Sequence, residues 1–160
     1  MSGSSIVQLD TRISALKDIP VFVGVDSDIV HDIVNKSSVV SVTEGQYFFR
    51  EGVEADSMFI LERGEAAVFR LWKNQQIKLR VLHEGECFGE VALIDHCKRS
   101  ASVIATCPSE AIRVSAQLLH KLKDDNPQQY IAILLNIGRI VSQRLRDADD
   151  GLFDYQMRTL

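Results

Sequence analysis

The run Phe88-Gly89-Glu90-Val91-Ala92-Leu93, followed six residues on by Arg99-Ser100-Ala101, sets a flexible turn, a carboxylate and a guanidinium within the eleven residues from Gly89 to Arg99. Those groups suit a small ligand that carries one phosphate and one sugar hydroxyl. Unpaired backbone N–H groups at a helix start, with the helix dipole behind them, favour an anion. Gly89 lacks a Cβ and lets the backbone come close. Val91, Ala92 and Leu93 can continue as a short helix whose first amides face the anion. Arg99 adds the formal charge and can fork two N–H donors onto two oxygens. Glu90 would be repelled by a phosphate, so it must face something else. A ribose 2′-hydroxyl is a natural partner, since a carboxylate accepts its proton well.

At these residues the chain resembles the cyclic nucleotide-binding domain family, which includes the catabolite activator protein and the regulatory subunits of cyclic AMP-dependent protein kinase. The family's phosphate-binding cassette reads Gly-Glu-apolar-Ala/Gly-Leu, a short loop, then Arg followed by small residues. Here the loop is Ile94 to Lys98. Glycines also stand where that family turns its strands, at Gly45, Gly52, Gly64 and Gly85, and Asp56 precedes the apolar strand Met58 to Leu61. The likeness covers roughly residues 10 to 148. It implies an α+β fold: an eight-stranded, jelly-roll-like β-roll flanked by N-terminal helices and a long C-terminal helix. It implies that Glu90 binds the ribose 2′-hydroxyl and that Arg99 pairs with the cyclic phosphate. Gly89, Ala92 and Ser100 would supply backbone or hydroxyl hydrogen bonds, with Val91 and Ala101 in the same cassette. The base pocket is assigned from strand position to Ile60, Val81 and Leu82. Two features depart from the pattern. The loop Asp95-His96-Cys97-Lys98 lacks the glycine and proline of many members, and Ser100 stands where the kinase subunits carry alanine. The serine resembles the bacterial transcription-factor branch, and its hydroxyl could touch the phosphate or a purine edge, so it leaves the base open; the ligand expected is cyclic AMP, ahead of cyclic GMP.

Size and composition bound these readings. The chain has 160 residues, 46% of them hydrophobic, and a net charge of −4, which fits one domain with a sizeable core. No basic cluster marks a nucleic-acid face, no run of about eighteen apolar residues predicts a membrane span, and the polar start Met1-Ser2-Gly3-Ser4-Ser5 has no secretory apolar region. A cytoplasmic protein with reduced thiols at Cys87, Cys97 and Cys107 follows. Cys97, in the ligand loop, is also a candidate redox-sensitive position. His31, His83, His96 and His120 lack ligand spacing, and no metal site is predicted.

The elements that must position the cassette are legible in outline. Ile13 and Leu16 share one face of a helix over Thr11 to Lys17. Asp26-Ser27-Asp28 offers an N-cap to a second helix bearing Ile29, Val30, Ile33 and Val34. Seven short β-branched and aromatic segments read as strands: Val39 to Thr43, Gln46 to Arg50, Ser57 to Glu62, Ala66 to Trp72, Ile77 to Leu82, Ser102 to Thr106 and Glu110 to Val114. Lys73-Asn74-Gln75-Gln76 reads as a hairpin turn. Phe69 alternates with Ala67 and Leu71 as a core face, which puts Arg70 and Trp72 on the surface. Ser115 caps a helix through Lys123, and Asn126-Pro127 starts another that runs to about Asp147. Asp149-Asp150-Gly151 is expected to end it, with Leu152 to Leu160 as a tail.

That last helix is apolar around much of its girth and needs two partners. One is the β-roll; the other is expected to be the same helix of a second copy, a homodimer through residues 127–147. Arg139 and Arg144 could contact the base or be solvated charges, and the solvated reading is preferred. The organisation expected is a nucleotide-binding unit over residues 1–125 and a lid and dimerisation helix with a short tail over 126–160. No helix-turn-helix domain follows, so no direct nucleic-acid contact is expected and an unidentified effector protein would read the helix. The function expected is a non-enzymatic, ligand-controlled regulatory module. The alternatives are a degenerate fold acting as an interaction scaffold without ligand, and a cupin-like metal enzyme, for which the strand region offers only His83 and His96.

Overall fold

The computed structural model describes residues 14–95 and 97–159. Residues 11–13 of the first predicted helix, with Ile13, lie outside that range, as do the polar start and His96. Residues 14–17 are helical, and Leu16 is buried. A 3-10 turn, Pro20–Phe22, and helix α1, Ser27–Lys36, follow. Eight strands come next: β1 Ser38–Val42, β2 Tyr47–Phe49, β3 Ser57–Arg63, β4 Ala66–Trp72, β5 Gln75–Leu82, β6 Cys87–Phe88, β7 Ser102–Ala105 and β8 Ser109–Ser115. Helix α2, Val91–Asp95, lies between β6 and β7, and α3, Ala116–Asp125, and α4, Pro127–Arg158, close the chain. The strands form two antiparallel four-stranded sheets, ordered β1-β8-β3-β6 and β2-β7-β4-β5. This is the jelly-roll-like β-roll with helices at both ends.

The central strand explains the layering. β3 pairs with β8 on one side and β6 on the other, and Ser57 to Leu61 are buried on both faces. Met58 and Ile60 point to the helices, where they pack with Ile33, Leu119, Ile133 and Ile137. Phe59 and Leu61 point the other way and pack with Val68, Leu82, Phe88 and Val103 between the sheets. A strand buried on both faces reads as a continuous apolar run, and its period of two is then visible only in which core each residue joins.

Local chemistry sets the ends of the elements. Ser115 Oγ accepts from Leu118 N at 3.2 Å, and Asn126 Oδ1 accepts from Gln129 N at 3.4 Å, so both predicted caps form. Lys73 and Asn74 have φ of 46° and 64°, the left-handed pair that a two-residue hairpin turn needs. At Gly64, φ is 90° and an added Cβ would sit 2.3 Å from Ser109 Oγ, so only glycine fits between β3 and β4.

Three expectations change. β4 keeps its period of two, and the irregularity opposite Val68 and Phe69 falls on β5, where Leu79 is the extra residue. Ala66 and Val68 face the core between the sheets, while Phe69 is half-buried and Leu71 is 61% exposed on a hairpin that outruns the sheet. The two-residue strand β6, too short to show any periodicity, is the eighth strand. Helix α4 continues through Gly151 to Arg158, 32 residues in all. A mid-helix glycine costs about 1 kcal/mol relative to alanine, which is too little to stop a helix of this length. α4 is held to the body by Asn136, which is 3% exposed and donates from Nδ2 to the carbonyls of Val21 and Val23 at 3.1 and 2.8 Å. Among the described residues, no helix is long and apolar enough to cross a membrane.

Candidate functional site

β6 delivers the chain to Gly89, whose φ of 72° turns it into α2. An added Cβ at Gly89 would lie 2.4 Å from Arg99 Nη1, so the glycine makes room for the guanidinium as well as for the turn. The loop after α2 returns Arg99 beneath that turn. Arg99 is 6% exposed. Its Nη1 donates to Gly89 O at 3.0 Å and its Nη2 to Ser57 O at 2.7 Å. The guanidinium carbon stands 4.1 Å from the centre of the Phe49 ring, a cation–π distance. Burial pulls the Arg99 guanidinium below the usual arginine range, with Asp56 the largest opposing influence. It remains a cation, because arginine does not lose its proton in proteins.

Glu90 is 3% exposed, and α4 reaches across to it. Arg144 Nη1 donates to Glu90 Oε1 and Arg144 Nη2 to Cys87 O, so one guanidinium ties the helix to both the carboxylate and β6. Two buried side-chain atoms near this pairing have no hydrogen-bond partner among the described residues: Glu90 Oε2 and Arg99 Nε. One is an acceptor and the other a donor. An unmet buried polar atom costs about 1–3 kcal/mol, and a bound polar ligand offsets that.

Both residues open onto one cavity of about 460 Å³. Gly89, Glu90 and Val91 form one wall, and Cys97 to Ala101 form another. Phe49, Val68, Arg70, Leu79 and Arg80 add the sheet side, and Val141, Arg144 and Leu145 of α4 cover it. The structure thus brings Gly89, Glu90, Val91, Arg99, Ser100 and Ala101 to a single space. The side chain of Ala92 lies outside the described part. The base-pocket assignment is corrected. Ile60 faces the helices, Leu82 is sealed between the sheets, and Val81 lies on the opposite face of β5 from Leu82 and off the cavity wall. The strand residues that line the cavity are Val68, Arg70, Leu79 and Arg80.

Of the cations near the site, the sequence misread Arg144 and missed Arg80. Arg144 is bound to Glu90 and is not a solvated charge. Arg139 donates to Asn136 Oδ1 at 2.8 Å. Arg80 is half-buried on the cavity wall, with no hydrogen bond or ion pair to another described residue. Burial lowers its pKa, the Arg144 charge lowers it further, and Glu90 and Glu86 oppose both. Cys87, behind the site, is a thiol pushed up to about 12 by burial first and Glu90 second. No group of three His, Cys, Asp or Glu among the described residues could hold a metal ion.

A β-roll with a short helical turn, a buried arginine and a carboxylate around one cavity defines a small-anion binding module. The family model of the cyclic nucleotide-binding domain matches residues 39–126, more than half of the sequence, and the chain belongs to that family. It is 35% identical over 95 residues to human cGMP-dependent protein kinase 2, covering 58% of this chain and 12% of the kinase. It is 27% identical over 126 residues to a cAMP-dependent protein kinase regulatory subunit of Mucor circinelloides f. lusitanicus, covering 74% of this chain and 30% of the subunit. The chain therefore spans less than a third of either relative. Among solved structures it is similar to Thermus thermophilus catabolite activator protein, with a TM-score of 0.72 and 26% identity over 83% of this chain and 61% of that one. It also shares the fold of the sensor domain of the transcriptional regulator DNR from Pseudomonas aeruginosa, with a TM-score of 0.73 and 23% identity over 87% and 94% of the two chains.

Proposed function

We propose that this chain binds a cyclic nucleotide in the cavity and works as a non-enzymatic regulatory module that signals through α4. The observation that carries this is a pair of residues on one cavity, each with a buried polar atom that lacks a partner among the described residues: Arg99, through its donor Nε, and Glu90, through its acceptor Oε2. A cyclic phosphate supplies acceptor oxygens and a single charge for Arg99. A ribose 2′-hydroxyl supplies the proton that Glu90 Oε2 lacks. Backbone groups of Gly89, Ala92 and Ser100 complete the cradle. Residues 1–125 then hold the ligand, and residues 126–160 form the lid and its extension.

Arg144 makes the lid responsive. It holds Glu90 Oε1 and leaves Oε2 for the sugar, so the ligand and α4 share one carboxylate. A ligand that binds better when α4 is docked shifts the population toward the docked state, and an effector protein reads that shift. Ile131, Leu135, Gly138, Ser142 and Leu145 recur at alternating spacings of four and three along α4. Ile131, Leu135 and Leu145 are 53%, 56% and 62% exposed. This stripe supports a second copy packed along residues 127–147.

Ser100 favours cyclic AMP by its likeness to the bacterial regulators. A second reading, cyclic GMP, is favoured by Arg80, because guanine presents two acceptors that an arginine fork matches, whereas adenine puts an amino donor there. Calorimetric titration of one sample with both nucleotides and their 2′-deoxy forms tests all of this. Saturable binding that weakens without the 2′-hydroxyl is expected. No heat with either nucleotide would leave the ligand-free scaffold as the reading.

A further inference from the structure

Every residue of α4 from Leu145 to Arg158 is exposed, about 21 Å of helix at 1.5 Å per residue, and beyond Leu145 none of them lines the cavity. A helix this short is marginal alone in water, yet it shows large apolar groups: Leu152, Phe153, Tyr155 and Met157 are 55–67% exposed. Leu152 continues the stripe through Leu145. Phe153 and Met157, four residues apart, lie about a third of a turn round from it. Asp147, Asp149, Asp150 and Asp154 accompany them, and residues 147–157 contain no lysine or arginine.

The β4–β5 hairpin has the opposite character. Residues 66–82 carry Arg70, Lys73, Lys78 and Arg80 and no acid. Leu71, Trp72 and Ile77 stand 61%, 66% and 44% exposed at its end. Trp72, Arg70 and Val68 alternate along β4, so the Trp72 face runs on into the cavity wall. Two exposed apolar surfaces on one chain, one acidic and one basic, are complementary in both respects. α4 runs unbroken to Arg158, so its tip has no bend by which to fold back onto its own hairpin.

We infer that the acidic tip of α4, residues 147–157, docks on the basic β4–β5 hairpin of a second copy, and that the contact is made twice in a two-fold dimer. This rests on the dimer reading above and adds to it the surface off the Leu145–Leu152 stripe. It also brings the partner's helix beside the strands that wall the cavity.

Sedimentation equilibrium of the full chain tests the inference, with circular dichroism to confirm folding. The double variants Lys73→Glu/Lys78→Glu and Asp149→Lys/Asp150→Lys are each expected to weaken the dimer about tenfold, the sum of a few exposed pairs at two sites. Combining all four changes should restore it. Trp72, the only tryptophan, should shift its emission to the blue as the wild-type protein associates. A wild-type chain that stays monomeric at high concentration overturns both this inference and the dimer reading. A dimer that neither reversal weakens, or that the combined variant does not restore, overturns the docking alone. Binding to anionic vesicles that is lost in Lys73→Glu/Lys78→Glu, with self-association unmoved, overturns it in favour of a membrane surface.

Discussion

Replacing Arg144 by alanine separates a site that merely contains Glu90 from one in which α4 governs it. In the structure Glu90 is 3% exposed and, among the described residues, the only donor to its carboxylate is Arg144, which also holds Cys87 O. Removing one partner of a buried ion pair costs about 3–5 kcal/mol, because the remaining charge stays desolvated. The side chain of Arg144 is 19% exposed and the distal helix is free to lift, so water can reach Glu90 in the variant. The expected loss is therefore at the low end, about 3 kcal/mol. With an m of about 2 kcal/mol per molar, the urea midpoint falls by about 1.5 M. Replacing Glu90 by glutamine removes the buried charge, so Arg144→Ala/Glu90→Gln should cost less than the two single changes together, by a coupling of about 2 kcal/mol. Ligand binding gives a second readout that a purely structural role would not move. If Arg144 turns Glu90 Oε2 toward the sugar, the preference for a ribonucleotide over its 2′-deoxy form should shrink in Arg144→Ala and vanish in Glu90→Gln. A coupling below about 0.5 kcal/mol, the usual error of additivity, would refute the shared carboxylate. So would an unchanged 2′-hydroxyl preference in Arg144→Ala.

The remaining predictions concern the groups around that pair. Arg99→Ala should raise the cyclic nucleotide Kd about 30- to 700-fold, a loss of about 2–4 kcal/mol for a charge-assisted contact in a partly dry site; equal affinity by calorimetry would remove Arg99 from the site. Hydrogen bonds from Ser57 and then Arg113 hold the Asp56 carboxyl below its ordinary value of 3.8. Its contribution to stability is full above that value and is lost as pH falls through the lower, folded-state value. Urea midpoints across the acid range should therefore fall less steeply in Asp56→Asn; an unchanged slope would contradict the pairing. Cys87, pushed up to about 12, stays a thiol at neutral pH and should resist an aromatic disulfide reagent while the half-buried Cys97 and Cys107 react. Cyclic nucleotide should protect Cys97, a cavity residue, and leave Cys107 unprotected; mass spectrometry of the labelled chain would show the reverse if the cavity is not the site.

Features written in contiguous residues were legible in the sequence: the Gly89-Glu90 turn with its arginine, the glycine turns, and the caps at Ser115 and Asn126. Features set by what a residue meets across the fold were not. Ile60 and Leu82 sit on plausible strands, but a strand between two cores points alternate residues into different layers, and nothing local says which layer holds the ligand. The two residues of β6 acquire their strand character only from pairing with β3.

Arg144 is the instructive miss, because the signal was present. Ile133, Ile137, Ile140 and Arg144 follow one another at spacings of four, three and four, so the arginine occupies the next position of the stripe that α4 turns to the body. A cation there must either lift the helix off the β-roll or find an anion beneath it, since leaving a charge unpaired in a partly dry interface costs several kcal/mol. Within the cassette the carboxylate that must face away from the phosphate is Glu90, 54 residues away. Set together, the break in the apolar stripe and an acid with a second oxygen beyond the one the sugar needs point to the contact that couples the lid to the site. An arginine that interrupts a buried stripe is better read as half of an ion pair than as a solvated charge.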